Sequence, residues 1–297
     1  MRPAFVSWCM RPTLRPCLLV IACLAVSACG PADDTPVVAG DQPPSSTRYR
    51  IDAVTVLESP DHGPQLCQAV AESYPPQCGG PDVVGWDWVD VEVEENSGGT
   101  TWGTYQVTGT WDGTRLTLTE PPAPPQAQEL DGGVDLSTPC PEPAGGWQVV
   151  DEATTTDEAL GMAQERANSL PGFAGLWIDQ SINPASGQGN PEEDAMNDPT
   201  KLILHVRFTQ DLEGAEAALR EVWGGALCVS PADRSLADLQ AIQAEVSEAD
   251  VTMSSINQTA NTVEVQVTVA DPALQAAYDA RYGEGAVTVT GWLQPVG

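Results

Sequence analysis

The side chains most often used in catalysis are scarce in this chain and lie far apart. Its 297 residues include two histidines, His62 and His205. His205 lies in the alternating segment 201–208, on the face opposite the apolar residues of that segment. This pattern predicts a polar residue on a sheet face rather than a general base or metal ligand. The sequence contains no nucleophile elbow, Walker A loop, dinucleotide fingerprint or His-Glu-x-x-His motif. We therefore predict no enzymatic activity and no cofactor.

Acidic side chains are the second chemical candidate, because 42 Asp and Glu residues stand against 12 Lys and Arg. The group that could supply oxygen ligands for calcium comprises Glu192, Glu193, Asp194 and Asp198, with Asn197. Its spacing differs from that of a twelve-residue calcium loop, so we expect a solvated loop and no metal site. Paired carboxylates could hydrolyse glycosidic bonds, but nothing in the sequence selects a pair. A hydrolase that acts on the cell envelope through unrecognised carboxylates is therefore an alternative function.

Aromatic residues give the clearest candidate for binding. Eight of the nine tryptophans follow residue 28, against two phenylalanines, and several of them crowd residues 86–111. Aromatic side chains on strands can form a platform for a sugar or a peptide. They more often fill the core of a small barrel, which is our prediction here. The candidate binding residues are Trp86, Trp88, Trp102, Tyr105, His205 and Arg207.

Residues 1–28 have the organisation of a secretory signal peptide. Arg2, Arg11 and Arg15 precede an apolar run at 17–28, and the segment has no acidic residue. The run is too short to cross a bilayer, which needs about 20 apolar residues. A compact signal could also start at Met10 instead of Met1.

The signal ends in Val-Ser-Ala-Cys-Gly at residues 26–30. This resembles the lipobox of bacterial lipoproteins, in which the cysteine is acylated and becomes the first residue of the mature chain. The resemblance implies that Cys29 carries palmitate-type chains on the extracytoplasmic face of the cell membrane. Separately, Tyr-Pro-Pro-Gln-Cys-Gly-Gly-Pro and Gly-Trp-Asp-Trp, within residues 74–88, resemble segments of secreted proteins of high-GC Gram-positive bacteria. That second resemblance implies export only.

The net charge restricts the possible partners. Three of the basic residues lie in the signal, so nine remain against 42 acidic residues, a balance of about −33. This charge argues against nucleic acid, whose phosphates need clustered Lys and Arg. It also repels anionic lipid, so the acyl chains must supply the membrane attachment. The expected partners are the membrane, through the lipid, and an envelope protein or polysaccharide.

The cysteines of the mature chain predict two disulfides. Cys67, Cys78, Cys140 and Cys228 follow the lipobox, and four cysteines allow three pairings. Cys67 and Cys78 are close in one loop, so we pair them and assign Cys140 to Cys228. No two of these cysteines have zinc-ligand spacing, and no histidine lies close by.

The mature chain divides into four segments. Residues 29–47 are predicted to be a flexible tether. Residues 121–146 contain seven prolines and are predicted to be a semi-rigid linker. Between them, alternating runs at 48–57, 83–94, 101–110 and 115–119, with an Asp112-Gly113 turn, predict a small antiparallel β domain at 48–120. This domain would be a meander or an OB-like barrel.

Residues 147–297 predict an α+β domain with an internal repeat. Residues 217–224 align with 276–283, and 145–150 with 224–229. Each unit would be β-α-β-β-α, giving a tandem ferredoxin-like domain. Helix starts are indicated by a capping box at Thr155-x-x-Glu158 and by Asp271-Pro272. The sheet face of Ile203, His205 and Arg207 is predicted to be mainly in water and to be the docking surface of this domain. The alternative is that the other repeat, the β domain or a partner covers it.

Together these patterns predict a lipid-anchored extracytoplasmic protein that binds a partner and does not catalyse a reaction. Besides the hydrolase, a prosegment-like protease inhibitor or chaperone is an alternative. An inhibitor would need an exposed extended tail or edge strand, and residues 291–297 are the candidate.

Overall fold

The computed structural model describes residues 47–92, 94–126, 135–189, 192–247 and 251–296. These residues form a mixed α+β fold, as predicted. The predicted signal, Cys29 and all of the tether except Thr47 lie outside the described residues.

The described chain begins with a group of strands, followed by alternating helices and strands. The first group comprises β1 (Arg48–Ser59), β2 (His62–Cys67), β3 (Asp82–Val84), β4 (Glu95–Ser97), β5 (Thr100–Trp111) and β6 (Arg115–Leu118). The second comprises α1 (Asp157–Ser169), β7 (Phe173–Asp179), α2 (Glu193–Met196), β8 (Ile203–Phe208), α3 (Leu212–Arg220), β9 (Ala226–Pro231), α4 (Leu236–Val246), β10 (Met253–Asn257), β11 (Thr262–Val267), α5 (Pro272–Tyr282), β12 (Val287–Gly291) and β13 (Gln294–Val296).

Strand β1 closes the sheet of the first group into a barrel because it pairs with other strands along both of its edges. It runs antiparallel to β2 and to β5. β5 continues through the Asp112-Gly113 turn into β6, β6 runs parallel to β3, and β3 pairs with β2. The resulting ring, β1-β2-β3-β6-β5, is a closed barrel rather than a meander.

Alternate residues of the barrel strands enclose one hydrophobic core. Leu293, near the end of the chain, belongs to this core, and β13 pairs antiparallel with β1. Residues 292–296 are therefore folded against the barrel. The prediction of an exposed extended tail is wrong for them, whereas the alternative of an edge strand agrees with β13, which lies at the edge of its sheet. The other buried core residues are Ile51, Val54, Val56, Leu66, Val83, Tyr105, Val107 and Leu116.

The prediction of one long strand at 83–94 is also wrong. β3 ends at Val84, and Gly85 has a φ of 84°, a left-handed conformation that glycine adopts without steric cost. The Asp87 side chain then accepts a hydrogen bond from the Val89 amide and starts a 3-10 turn at Trp88–Asp90. The alternation of Val and acidic residues thus lies mostly on a connecting loop.

The second half contains two three-stranded sheets with the same topology. In the first, β7 is antiparallel to β8, and β8 is parallel to β9 across α3. In the second, β10 is antiparallel to β11, and β11 is parallel to β12 across α5. The alignment with 224–229 and the order β-α-β-β-α would place a first strand at 145–150. None is present there, and Gly145 and Gly146 both turn the chain with positive φ.

The predicted apolar faces of these sheets lie under the helices. In the first sheet, Leu204, Val206 and Phe208 are buried together with alanines of α1 and Leu219 of α3. In the second, Val263, Val265 and Val267 are buried with Leu239 of α4 and Tyr278 of α5. Apolar stripes on both partners thus build the two cores.

One predicted helix start is shifted and the other is confirmed. α1 is capped by Thr156, whose hydroxyl accepts from the Ala159 amide, whereas Thr155 is buried and donates to the Asp151 carbonyl. α5 starts as predicted, with Asp271 as N-cap and Pro272 in the first turn. A capping box is present instead in α4, between Ser235 and Asp238.

Candidate functional site

Both predicted disulfides are present, and the second one builds the candidate site. Cys67 and Cys78 have Cα atoms 5.6 Å apart, and Cys140 and Cys228 have Cα atoms 6.0 Å apart. Cys228 lies on β9, so this disulfide brings the second half of the predicted linker onto the sheet of β7, β8 and β9.

Residues 135–147, which we call the strap, cross the face of this sheet opposite the helices. The Thr138 amide donates to Asp179 Oδ2 at 2.6 Å, and the indole Nε1 of Trp177 donates to the Leu136 carbonyl at 3.0 Å. Cys140 and Trp147 pack against the buried residues Ile203, Ala226 and Cys228. The prediction that this face lies mainly in water is therefore wrong, because a covalently attached segment covers it.

His205 is fully buried beneath the strap, with 0% of its surface exposed. Its Nε2 atom lies 2.6 Å from Ser230 Oγ, and its ring centroid lies 3.9 Å from that of Trp177. Burial, aided by the nearby positive charge of Arg207, lowers the pKa of His205 to about 4. The imidazole is therefore neutral at pH 7, and its burial removes it as a candidate contact residue.

The pair formed by His205 and Ser230 has the spacing of a catalytic dyad but not its other properties. A general base works best with a pKa near the operating pH, and that of His205 is far below it. Its Nδ1 atom has no hydrogen-bond partner among the described residues. The buried carboxylate of Asp179 accepts instead from the amides of Thr138 and Ser181. In the part of the chain that the structure describes, no third group orients the imidazole in the way that a triad requires.

Arg207 lies half-buried at the edge of the same face. Its Nε and Nη2 donate to the Pro231 carbonyl at 3.2 and 3.1 Å. Its Nη1 donates to the carbonyls of Thr259 at 2.9 Å and Gln258 at 3.4 Å. Burial lowers the pKa of the guanidinium, while the carboxylate of Asp233 opposes that shift. These main-chain contacts fix the position of the guanidinium group.

The strap, the sheet and the loop after β10 enclose a cavity of about 530 Å³, which we call the strap cavity. This volume falls within the range of small-molecule sites. Apolar surface and a few polar groups line it together. The lining residues are Asp135, Ser137, Pro139, Cys140, Pro141, Trp177, Arg207, Val229, Ser230, Pro231 and Thr259.

The aromatic candidates of the barrel pack on one another rather than forming a flat surface. The ring centroid of Trp86 lies 5.2 Å from that of Trp88 and 5.1 Å from that of Tyr105, all in edge-on geometry. Trp88 Nε1 donates to a Glu58 carboxylate oxygen at 2.6 Å. Trp102 is buried and contacts Tyr74 edge-on. Burial also raises the pKa of Tyr105.

In the acidic group considered for calcium, the Asp198 carboxylate is engaged by neighbouring side chains and a main-chain amide. Asp198 Oδ2 lies 2.8 Å from Lys201 Nζ, and Asp198 also accepts from the Thr200 amide and hydroxyl. These contacts lower the pKa of the Asp198 carboxyl to about 2. Within the described ranges, no group of three or more His, Cys, Asp or Glu side chains is arranged to hold a metal ion.

Comparison with known proteins gives no relative, since the chain matches no protein family and no curated protein sequence. Among the helices of the described residues, none is long and apolar enough to cross a membrane.

Sequence analysis missed Trp177, Asp179 and Ser230 as members of the site. A signal was present, because pairing Cys140 with Cys228 requires residues near 140 to lie on the β9 face that carries Cys228. Ser230 is two residues after Cys228 on β9, and side chains two residues apart on a strand point to the same face. Ser230 therefore lies on the covered face as well.

Proposed function

We propose that this chain is a lipid-anchored extracytoplasmic protein that binds a component of the cell envelope and does not catalyse a reaction. Attachment is through acylated Cys29, as the resemblance to the lipobox implies. Two disulfides support export, because disulfides persist in oxidising compartments and are rare in reducing ones.

The observation that carries the binding role is the strap cavity. Its walls are held by the disulfide between Cys140 and Cys228, by the contact of Thr138 with Asp179 and by the main-chain contacts of Arg207. A preformed site binds with little loss of conformational entropy. The one buried histidine beside it has a pKa too low for general base catalysis at neutral pH, which favours binding over catalysis.

We also propose a finer description of the fold. The strand order of the barrel, with β3 parallel to β6, supports an OB-like barrel, a fold used for ligand binding in unrelated proteins. The repeated order α-β-β-α-β and the sequence similarity of 217–224 to 276–283 support duplication of one α+β unit. Among the described residues, the sheet of each α+β unit has three strands, one fewer than a complete ferredoxin-like unit. The two copies are thus related to that fold by the loss of one strand.

The test is recovery of the envelope partner by the full chain. The protein is cross-linked in intact cells, solubilised in detergent and purified, beside a variant with Cys140→Ser and Cys228→Ser. The native chain should recover a defined protein or polysaccharide, and the variant, whose strap is released, should recover less. Recovery no different from that of an unrelated lipoprotein would contradict the proposal.

A further inference from the structure

The strap cavity places one fixed positive charge beside an apolar wall. Arg207 lines it together with the ring of Trp177, and further apolar surface comes from Pro139, Pro141, Val229 and Pro231. A larger cavity of about 840 Å³, between the barrel and the sheet of β10, β11 and β12, has no charged residue in its lining. The strap cavity is therefore the better candidate for recognising a charged ligand.

The charge of Arg207 has no carboxylate partner at ion-pair distance among the described residues, although acidic residues are abundant. Within the same described ranges, six ion pairs engage other basic side chains, those of Arg48, Arg50, Arg115, Arg166, Lys201 and Arg281. Arg220 and Arg234 also donate to main-chain carbonyls, but neither lines the strap cavity.

The contacts of Arg207 leave it able to bind an anion. A guanidinium has five N–H groups, and the bonds to Pro231, Gln258 and Thr259 use at most four of them. Carbonyl oxygens satisfy donors but do not neutralise the charge. A half-buried guanidinium therefore keeps a strong preference for a carboxylate or a similar anion.

Asp135 limits the charge of that anion. It lines the same cavity, and hydrogen bonds from Ser137 lower the pKa of its carboxyl, so it stays ionised at neutral pH. No ion pair joins Asp135 to Arg207. Its negative charge, with that of nearby Asp233, disfavours dianions such as phosphate esters and dicarboxylates.

We propose that the strap cavity binds a small organic monocarboxylate with an apolar or aromatic body. Arg207 binds the carboxylate, and Trp177 with the prolines and Val229 contacts the body. This inference rests on the proposed binding function and names the class of ligand. Such a carboxylate could belong to a free acid or to the C-terminus of a peptide.

The experiment compares probes of nearly equal shape and different charge on the detergent-solubilised full chain. Phenylacetate carries the carboxylate, phenylacetamide is its neutral counterpart, and phenethylamine carries a positive charge. We expect calorimetry to show phenylacetate binding about tenfold or more tightly than phenylacetamide, since a charge-assisted pair is replaced by a neutral one. N-acetylphenylalanine and its amide form a second pair, and tighter binding of this acid than of phenylacetate would assign the ligand to peptide C-termini.

Matched variants assign the effect to Arg207. Arg207→Gln should remove the preference for the acid, whereas Arg234→Gln, which changes another arginine held by a main-chain carbonyl, should retain it. If Arg207→Gln destabilises the fold, Arg207→Lys replaces it in the test. This variant keeps the charge without the planar fork and should retain a reduced preference for the acid. Equal affinity for acid and amide, preference for the amine, or no binding of any probe would overturn the assignment. Recovery of the envelope partner is a separate readout, so its result distinguishes failure of the ligand class from failure of the binding function.

Discussion

The imidazole Nε2 of His205 lies 2.6 Å from the hydroxyl of Ser230, and both residues are buried beneath a segment that a disulfide attaches to the sheet. A polar pair that would be exposed on an open sheet is thus enclosed. Its energetic consequences can be measured without knowledge of any ligand.

Acid should destabilise the protein through His205. Its pKa is about 4 in the folded state against an ordinary value of 6.5, so the unfolded state binds the proton more tightly. The contribution of the neutral imidazole is full above pH 6.5 and declines as the pH falls toward 4. Between pH 7 and 4.5 the loss should be about 2 to 3 kcal/mol.

The measurement for this prediction is urea unfolding at both pH values, with His205→Gln as control. The amide can hydrogen-bond to Ser230 but does not titrate, so the variant should show a smaller decline with acid. Equal declines in the two proteins would show that folding does not lower the pKa of His205.

Removing the disulfide of the strap should lower the free energy of unfolding by more than the loss of its local contacts alone would. Cys140 and Cys228 are 88 residues apart, and closing such a loop stabilises by about 4 to 5 kcal/mol on the chain-entropy argument. Denaturant unfolding of Cys140→Ser with Cys228→Ser measures this loss. Thiol labelling of the unreduced, unfolded native sequence should leave both positions unlabelled, and labelling of both would refute the pairing.

The C-terminal segment should stabilise the barrel, although it is more than 170 residues from β6 in the sequence. Leu293 is buried in the barrel core, so Leu293→Ala should cost about 2 to 5 kcal/mol. The neighbouring Gln294→Ala changes an exposed side chain and should cost little. Guanidinium unfolding followed by tryptophan fluorescence tests the pair, and similar small losses in both would mean that the barrel is independent of the tail.

The tryptophans at the end of β3 should act on stability rather than on binding. Trp86 packs against Trp88, Tyr105 and the barrel core, so Trp86→Ala should cost about 3 kcal/mol. Val89→Ala, at a side chain 80% exposed in the same loop, is the control and should be neutral. Unchanged stability of the Trp86 variant, with loss of binding to an envelope polysaccharide, would instead support an aromatic platform.

Much of the secondary structure could be predicted because it follows from alternation and turn chemistry. α5 starts at Asp271-Pro272 as predicted, and the Asp112-Gly113 turn joins β5 to β6. These features depend on neighbouring residues, which a single sequence displays. The apolar rows of β8 and β11 could be assigned to the helices for the same reason.

The remaining features depend on contacts between distant parts of the chain. β13 has three residues, too few for a periodic pattern, and its role depends on β1 at the other end of the described chain. The cover over His205 comes from a proline-rich segment without periodicity, and only the pairing of Cys140 with Cys228 indicated where it lies. The candidate site could therefore be predicted in part. Arg207, one of the predicted binding residues, lines the strap cavity, whereas His205 is buried and not exposed on a sheet face as predicted.

Attachment through Cys29 to the outer face of the membrane is the central claim, and density-gradient flotation tests it most directly. Full-length protein and a Cys29→Ala variant are expressed in the same cells, and membranes are floated through sucrose. The native protein should float with lipid, and the variant should remain in the soluble extracytoplasmic fraction, because its acidic surface gives it no other hold on lipid. A variant that still floats with the membranes would contradict the claim.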